Sequence, residues 1–344
     1  MHIAFRLFYR EKKHSETLRK MGKLVSILTP CYNGDKIIWR LLDSILNQTY
    51  PEIEMFVIDD GSTDNSANLI KTYIPKFELK GYSLTYIYQE NSGQSVAINN
   101  GLKLIKGDYL VWPDCDDWYA TNDAIQQMVE VLDNSAENVS MVRCQSNLID
   151  EDTLKQVGKF GLNKKTKGKT NLFEDCLLAK NRYWYVPGDY MAKTKKIDET
   201  IPNREIYTEK NAGQNWQLML PLLYKNECLT IEKNLYNVLV REDSHSRGLY
   251  STLDQQLQRY DSYEKTLLAT IDNIVKMPVT EKHKYEHTIK NNYNVLRFNL
   301  FMSNKKFKGA LNMFFKSNIS SKNGMFIKVF KRVIKKIYHF TESY

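Results

Sequence analysis

The sequence predicts an α/β fold in which a mostly parallel central sheet is flanked by helices and followed by a helical, basic C-terminal segment. Two observations carry this reading. Short apolar runs alternate with stretches of helical period, and clusters of Asp, Asn, Ser and Gly stand where the apolar runs stop. Strands alternating with helices specify a parallel sheet whose carboxyl ends face the ligand. With 344 residues, 42% of them hydrophobic, the chain can bury one large core.

The elements follow in order. Leu24 to Leu28 is a short apolar strand ending at Pro30, and Ile37, Ile38, Leu41, Leu42, Ile45 and Leu46 then repeat with helical period. Glu54 to Ile58 reads as a buried strand that stops at Asp59-Asp60-Gly61. Ser62, Thr63 or Asp64 can cap the next helix, which is expected to run to about Tyr73. Leu84 to Tyr88 forms a third strand, and Asn91-Ser92-Gly93 a turn. Val96, Ala97, Leu102 and Leu104 mark a helix before the strand at Tyr109 to Trp112. Asn122 to Leu132 is helical and Ser140 to Ile149 is a strand. Residues 150–170, polar and lysine-rich, read as an exposed loop or flap. Val186 to Ala192 is strand-like, Gly213 to Tyr224 helical, and Tyr236 to Val240 a final strand that delivers Arg241 and His245. From about Ser251 the pattern is helical.

Charge is unevenly spread. The stretch from Thr288 to Thr341, which has no Asp or Glu and carries Lys290, Arg297, Lys305, Lys306, Lys308 and Lys316 among its bases, more than accounts for the formal +9. Within it, Phe326, Ile327, Val329, Phe330, Val333, Ile334, Ile337 and Tyr338 recur at helical spacing among lysines. A basic amphipathic helix of this kind suits an anionic membrane surface, here through residues 320–340, or else packs on the body with a solvated lysine face. No recognition motif accompanies the charge, so no nucleic acid is expected. No apolar run is long enough to cross a bilayer, and residues 1–23 lack the apolar core of a signal peptide. The expected location is cytoplasmic and peripheral, on the inner face of the cell membrane. Cys31, Cys115, Cys144, Cys176 and Cys228 are scattered, without zinc or disulfide spacing, and are expected to be reduced.

The densest chemistry lies in Asp108-Tyr-Leu-Val-Trp-Pro-Asp114-Cys115-Asp116-Asp117, an apolar strand running into three carboxylates. Hard divalent cations that bridge phosphates take such oxygens, and without a cation the carboxylates repel one another. A turn rich in acids is the plainer reading.

Five ordered blocks then carry a resemblance. They are Val25-Ser-Ile-Leu-Thr-Pro-Cys-Tyr-Asn-Gly34, Ser44-Ile-Leu-Asn-Gln48, Val57-Ile-Asp-Asp-Gly-Ser-Thr-Asp64, Glu90-Asn-Ser-Gly-Gln-Ser95 and Pro113-Asp-Cys-Asp-Asp117. Together they resemble family 2 glycosyltransferases over roughly residues 24–245. The resemblance implies a GT-A type, nucleotide-sugar-dependent domain over 24–250, with a nucleotide-binding half at 24–120 and an acceptor half at 121–250. A basic extension (1–23) precedes it and a basic helical segment (251–344) follows. It implies a UDP-sugar donor, a glycan or lipid-linked acceptor, and Mn2+ or Mg2+ as cofactor. Thr29, Pro30 and Tyr32 are then expected beneath the base, with Tyr32 stacking. Asp60 is expected at the uracil imide or a ribose hydroxyl, Asn91 and Ser95 over base and ribose, and Asp114 at ribose and metal. Asp116 would bind the ion, Asp117 would shape the site or receive sugar hydroxyls, and His245 would be a third metal ligand. For each, a cap, turn or surface role is the structural alternative.

Two departures stand out. Relatives with Ala-Arg-Asn after the Asn-Gly loop have a cation where this chain has Ala97-Ile98-Asn99. More importantly, the family usually places its base in a Glu-Asp pair before Trp, and here Gln214-Asn215-Trp216 stands there. Neither amide can act as a base. Glu209, Asp189 and Glu205 are candidates, with Glu209 preferred, unless the acceptor arrives already ionised. Two readings follow: an inverting transferase acting on a cell-surface polysaccharide or lipid-linked glycan, or a catalytically silent relative that binds nucleotide-sugar or a partner. A Rossmann dehydrogenase is disfavoured, because no Gly-rich phosphate loop follows the first strand.

Overall fold

The computed structural model describes residues 22–209, 213–241, 252–318, 321–322 and 324–325. Its centre is a nine-stranded sheet. The first part is parallel throughout: β1 (Val25–Cys31) lies between β2 (Ile53–Asp60) and β4 (Tyr109–Val111), and β3 (Ser83–Gln89) pairs with the far edge of β2. Every residue of β1 and β2 is buried, as expected for strands covered on both faces by crossover helices. Those helices are α1 (Ile38–Leu46), α2 (Ser66–Lys80) and α3 (Gln94–Leu102).

The second part is mixed. β8 (Tyr190–Lys193) runs antiparallel to both β4 and the long β6 (Val139–Asp150), and β6 pairs in parallel with β9 (Glu227–Val240). The two-residue β5 (Trp118–Tyr119) pairs antiparallel with β9 and closes the order β3-β2-β1-β4-β8-β6-β9-β5. α4 (Ala124–Asp133), α5 (Phe173–Leu177), α6 (Thr194–Thr200) and α7 (Asn215–Leu223) complete this half. Three C-terminal helices follow, α8 (Leu253–Asp272), α9 (Val279–Ser303) and α10 (Phe307–Lys316). Leu267, Ile271, Ile289 and Tyr293 of α8 and α9 join the main core, so these helices are packed onto the body.

Three elements differ from the sequence expectation. α2 does not stop near Tyr73 but continues past Pro75 to Lys80. A proline there removes one helical hydrogen bond, while burial of Phe77 holds the following turn on the core, and Gly81 ends it with a left-handed φ of +86°. Residues 150–170 are not simply a loop: β7 (Gln156–Phe160) folds back on the end of β6 as an antiparallel edge strand. Only Val157 and Phe160 of its five residues are apolar and Val157 is exposed, so no regular alternation marked it. β9 begins at Glu227, well before Tyr236, and its register against β6 shifts around Gln145, which breaks the alternation that would have revealed it.

At the amino ends of the strands a buried network fixes the register. The Ser26 hydroxyl donates to Glu54 Oε1 at 2.5 Å, and that same oxygen accepts from the N–H groups of Lys106 and Gly107. A Cβ at Gly107 would lie 2.6 Å from the Ser26 nitrogen and 2.7 Å from the Leu24 carbonyl oxygen, both backbone atoms that cannot swing aside. Gly107→Ala is therefore expected to destabilise the protein by roughly 1–3 kcal/mol or more, the range for overpacking. Urea denaturation checks this, and an unchanged midpoint would mean that strands β1 and β4 can separate freely at this end.

Candidate active site

The functional residues converge at the carboxyl ends of β1 to β4. The loop after β1 is pinned to the loop after β2: Asn33 donates its N–H to the Ser62 hydroxyl, and its Oδ1 accepts from the Thr63 N–H. Gly34 N–H donates to Ser66 Oγ, and Asp35 N–H to Asp64 Oδ2. Although burial opposes it, hydrogen bonds from Ser66 and Asp35 hold the Asp64 carboxyl below its ordinary pKa. Gly61 has a φ of +78° and packs on Asn91, so the turn ending β2 also rests on the loop after β3.

Both acidic residues ending β2 brace these loops. Asp59 accepts from the Ser62 N–H and the Tyr86 hydroxyl. Asp60 accepts from Gln89 Nε2 and the N–H groups of Ser92 and Gly93, while Asn91 Nδ2 donates to the Asp60 carbonyl. Of the other expected nucleotide contacts, Thr29 and Pro30 are buried and Tyr32 is 47% exposed. Ser95 is buried inside the first turn of α3, whose N-cap is Gly93, so neither Asn91 nor Ser95 is the cap. The Thr29 and Ser95 hydroxyls find no partner among the described residues.

Between β4 and β5, Asp114, Asp116 and Asp117 offer carboxylate oxygens that all lie within 4.8 Å of one another. Asp114 Oδ1 accepts from Gln94 Nε2 at 2.7 Å and from Gln214 Nε2 at 3.1 Å. Asp116 Oδ2 meets Arg241 Nη2 at 2.5 Å. Asp117 is buried and accepts from the Leu239 N–H of β9 at 2.9 Å. Burial first, and then the charge of Asp116, push the Asp114 carboxyl up to about 7 against those two amides. Burial and the charges of Asp116 and Asp114 push Asp117 well above the ordinary range too. Such a set of hard oxygens under mutual repulsion fits a divalent cation, and Asp114 and Asp116 are the members whose carboxyls point least into the fold. His245 and Arg247 lie outside the described residues.

At the start of α7, Asn215 Nδ2 donates to the Tyr185 carbonyl, and Trp216 Nε1 to the Cys176 carbonyl. Gln214 Oε1 and Asn215 Oδ1 are buried and accept nothing among the described residues. Glu209 is partly exposed, accepts from the Tyr207 hydroxyl at 3.0 Å and pairs with Lys265 of α8 at 3.3 Å. Asp189 is fully buried, its Oδ2 accepting from the Ser146 hydroxyl and its Oδ1 without a partner among the described residues. Glu205 is exposed. Asn99, in the position after the missing cation, clamps the chain before Glu209 by exchanging two hydrogen bonds with Ile206. Sequence reasoning missed Gln94 and Gln214 as partners of Asp114. The signal available was the occurrence of amides where a charged residue would repel the cluster.

Residues 26–186 match the family described as Glycosyl transferase family 2. An uncharacterized glycosyltransferase of Rickettsia typhi is 37% identical over 128 residues, which cover 37% of this chain and 38% of the relative. Glycosyltransferase GlyA of Streptococcus pneumoniae is 40% identical over 94 residues, covering 27% and 13%. The chain thus spans less than two-fifths of the length of these curated relatives. Among solved structures, S. aureus TarS in complex with UDP-GlcNAc matches with a TM-score of 0.60 at 17% identity, over 85% of this chain and 79% of that one. Mannosyltransferase PcManGT from Pyrobaculum calidifontis, in complex with GDP-Man and Mn2+, matches with a TM-score of 0.53 at 15% identity, over 94% and 84%. At these identities the likeness is one of fold.

The raised carboxyls have a consequence for stability. In the fold Asp114 keeps a proton up to about pH 7 that the unfolded chain gives up near the ordinary value of about 4. The folded form of this group binds more protons in this window, so its contribution to the stability of the metal-free protein falls as pH rises from about 4 to 7. A cation that ligates the ionised form offsets that loss. Thermal unfolding with Mn2+ or with a chelator is expected to show a larger metal-dependent gain at pH 8 than at pH 5, by a few degrees. Equal gains at both pH values, or none, would contradict the assignment.

Proposed function

With residues 26–186 a glycosyl transferase family 2 domain on a GT-A type fold, we propose that this chain is an inverting hexosyltransferase. It moves a sugar from a UDP-sugar to a cell-surface polysaccharide or lipid-linked glycan. The observation that carries the reading is the Asp114, Asp116 and Asp117 cluster at the carboxyl ends of the parallel strands, held in place by Gln94, Gln214, Arg241 and Leu239. The UDP-GlcNAc in the TarS complex supports a UDP-sugar, and the Mn2+ in the mannosyltransferase complex supports a divalent ion.

The residues take the following parts. Tyr32 stacks on the base while the backbone at Thr29 and Pro30 reads its edge. Asp60 serves the nucleotide chiefly by holding the loop of Asn91 to Ser95, because its carboxylate already accepts three donors. Asp114 and Asp116 hold Mn2+ or Mg2+, which when bound neutralises charge on the leaving diphosphate. Arg241 exchanges Asp116 for phosphate oxygens as donor arrives, a fork geometry suited to both partners. Asp117, tied to Leu239, keeps the cluster's loop on β9 and faces the sugar hydroxyls. Glu209 is the proposed base: it takes the proton of the acceptor hydroxyl as that oxygen bonds to the anomeric carbon and UDP departs. Its partial exposure allows the contact, and Lys265 and Tyr207 hold it in place.

A catalytically silent relative is the second reading, favoured by Gln214-Asn215 where a Glu-Asp pair is usual. None of the described helices is long and apolar enough to cross a membrane. The basic segment at 320–340 is proposed to hold the enzyme peripherally on the inner membrane face, against anionic lipid.

Two substitutions test the reading. Asp116→Asn is expected to remove metal-dependent UDP binding and to lower donor turnover on the order of 10²-fold or more. Unchanged binding and turnover would place the cation elsewhere. Glu209→Gln is expected to slow transfer by about 10²- to 10⁴-fold with UDP affinity intact. Unaltered transfer would shift the role to Glu205 or to an acceptor that carries its own negative charge, and a wild-type chain that binds donor but turns over none would favour the silent reading.

A further inference from the structure

α10 buries one face and leaves another bare. Ala310 and Met313 pack with Phe298 of α9 and with Met325 in a small cluster apart from the main core. The neighbouring face carries Phe307, Leu311 and Phe315, one per turn at a spacing of four, exposed by 63%, 56% and 67%. Three large apolar side chains in line on consecutive turns form a contiguous patch, unlike the scattered apolar residues that any surface carries. Lys305 just before the helix and Lys308 and Lys316 within it are all exposed. No Asp or Glu occurs between Thr288 and Thr341 to balance them.

We propose that the Phe307, Leu311 and Phe315 face of α10 inserts into the headgroup boundary of an anionic phospholipid bilayer. The chemistry of the patch selects this occupant. Its apolar side chains match the acyl boundary, and long lysines beside them in sequence can lay their stems along the apolar surface and place their ammonium groups among phosphates. A second copy of the chain would bring the same lysines against each other with no Asp or Glu in the segment from Thr288 to Thr341 to pair them, which disfavours self-association through this face. The proposal deepens the peripheral membrane location stated above and uses residues which that reading did not. Its failure would leave sugar transfer untouched, because the stripe is far in sequence from the carboxylate cluster and outside the family match.

The test compares the full-length chain with a Phe307→Gln, Leu311→Gln, Phe315→Gln variant. Glutamine keeps helix propensity, and the buried residues Ala310 and Met313 are unaltered. Flotation with vesicles of equal parts phosphatidylglycerol and phosphatidylcholine is expected to show the variant's partition coefficient reduced on the order of tenfold or more, with unchanged circular dichroism and UDP affinity. A second variant, Lys305→Glu with Lys308→Glu and Lys316→Glu, is expected to lose the preference for these vesicles over pure phosphatidylcholine. Equal partition of wild type and the glutamine variant, or no vesicle binding by the wild type, would overturn the proposal. So would a wild-type dimer that the glutamine substitutions dissociate without altering vesicle binding, since the face would then belong to a second copy.

Discussion

The arrangement of this protein turns on the mutual repulsion of three carboxylates placed in a loop that the fold half encloses. Asp114, Asp116 and Asp117 stay close because burial favours the protonated forms of Asp114 and Asp117 and because different segments each supply a compensating group: Gln94 from α3, Gln214 from the start of α7, Leu239 from β9 and Arg241 just beyond it. The antiparallel seam between β5 and β9 makes two of these possible, because it brings the end of β9 alongside the loop. Removing one partner of a buried charge costs far more than the pair contributes, so the positions of α3, α7 and β9 are coupled through this loop. Strongly shifted carboxyls in a crevice at strand ends are a mark of function more than of stability.

The first, parallel half of the sheet was legible because its signals are local. β1 and β2 are apolar throughout and stop at turn residues, and their loops hold each other through side chains only a few positions from the strands, as Asn33 does with Thr63 and Asp59 with Ser62. Asp114, Asp116 and Asp117 could be grouped from spacing alone, and the structure brings their oxygens together. The second half was harder to read. β7 is polar and edge-bound, β9 is interrupted by register shifts, and β5 has only two residues, so none offers a period to detect. Asp60, expected at the uracil imide or a ribose hydroxyl, is seen bracing the loop of Ser92 and Gly93, which its turn-like alternative had allowed.

What the sequence could not show was pairing across long separations. Gln214 donates to Asp114 from a position 100 residues away, and Arg241 reaches Asp116 across 125. The replacement of a Glu-Asp pair by Gln-Asn reads in sequence as a lost base. In the structure it also supplies an amide donor to Asp114, where a carboxylate would add to the repulsion. The same substitution thus moves the search for a proton acceptor outward, to the partly exposed Glu209 and away from the enclosed Asp189.

In the proposed reading the carboxylate cluster is a cation site whose charge Arg241 balances until a diphosphate arrives. Anomalous diffraction from crystals grown with Mn2+ and UDP is the decisive measurement. A manganese peak is expected within coordinating distance of Asp114 and Asp116, with the Arg241 guanidinium withdrawn from Asp116 and turned to the phosphates. UDP bound with the Arg241 and Asp116 pair intact, or manganese found away from these carboxylates, would contradict it.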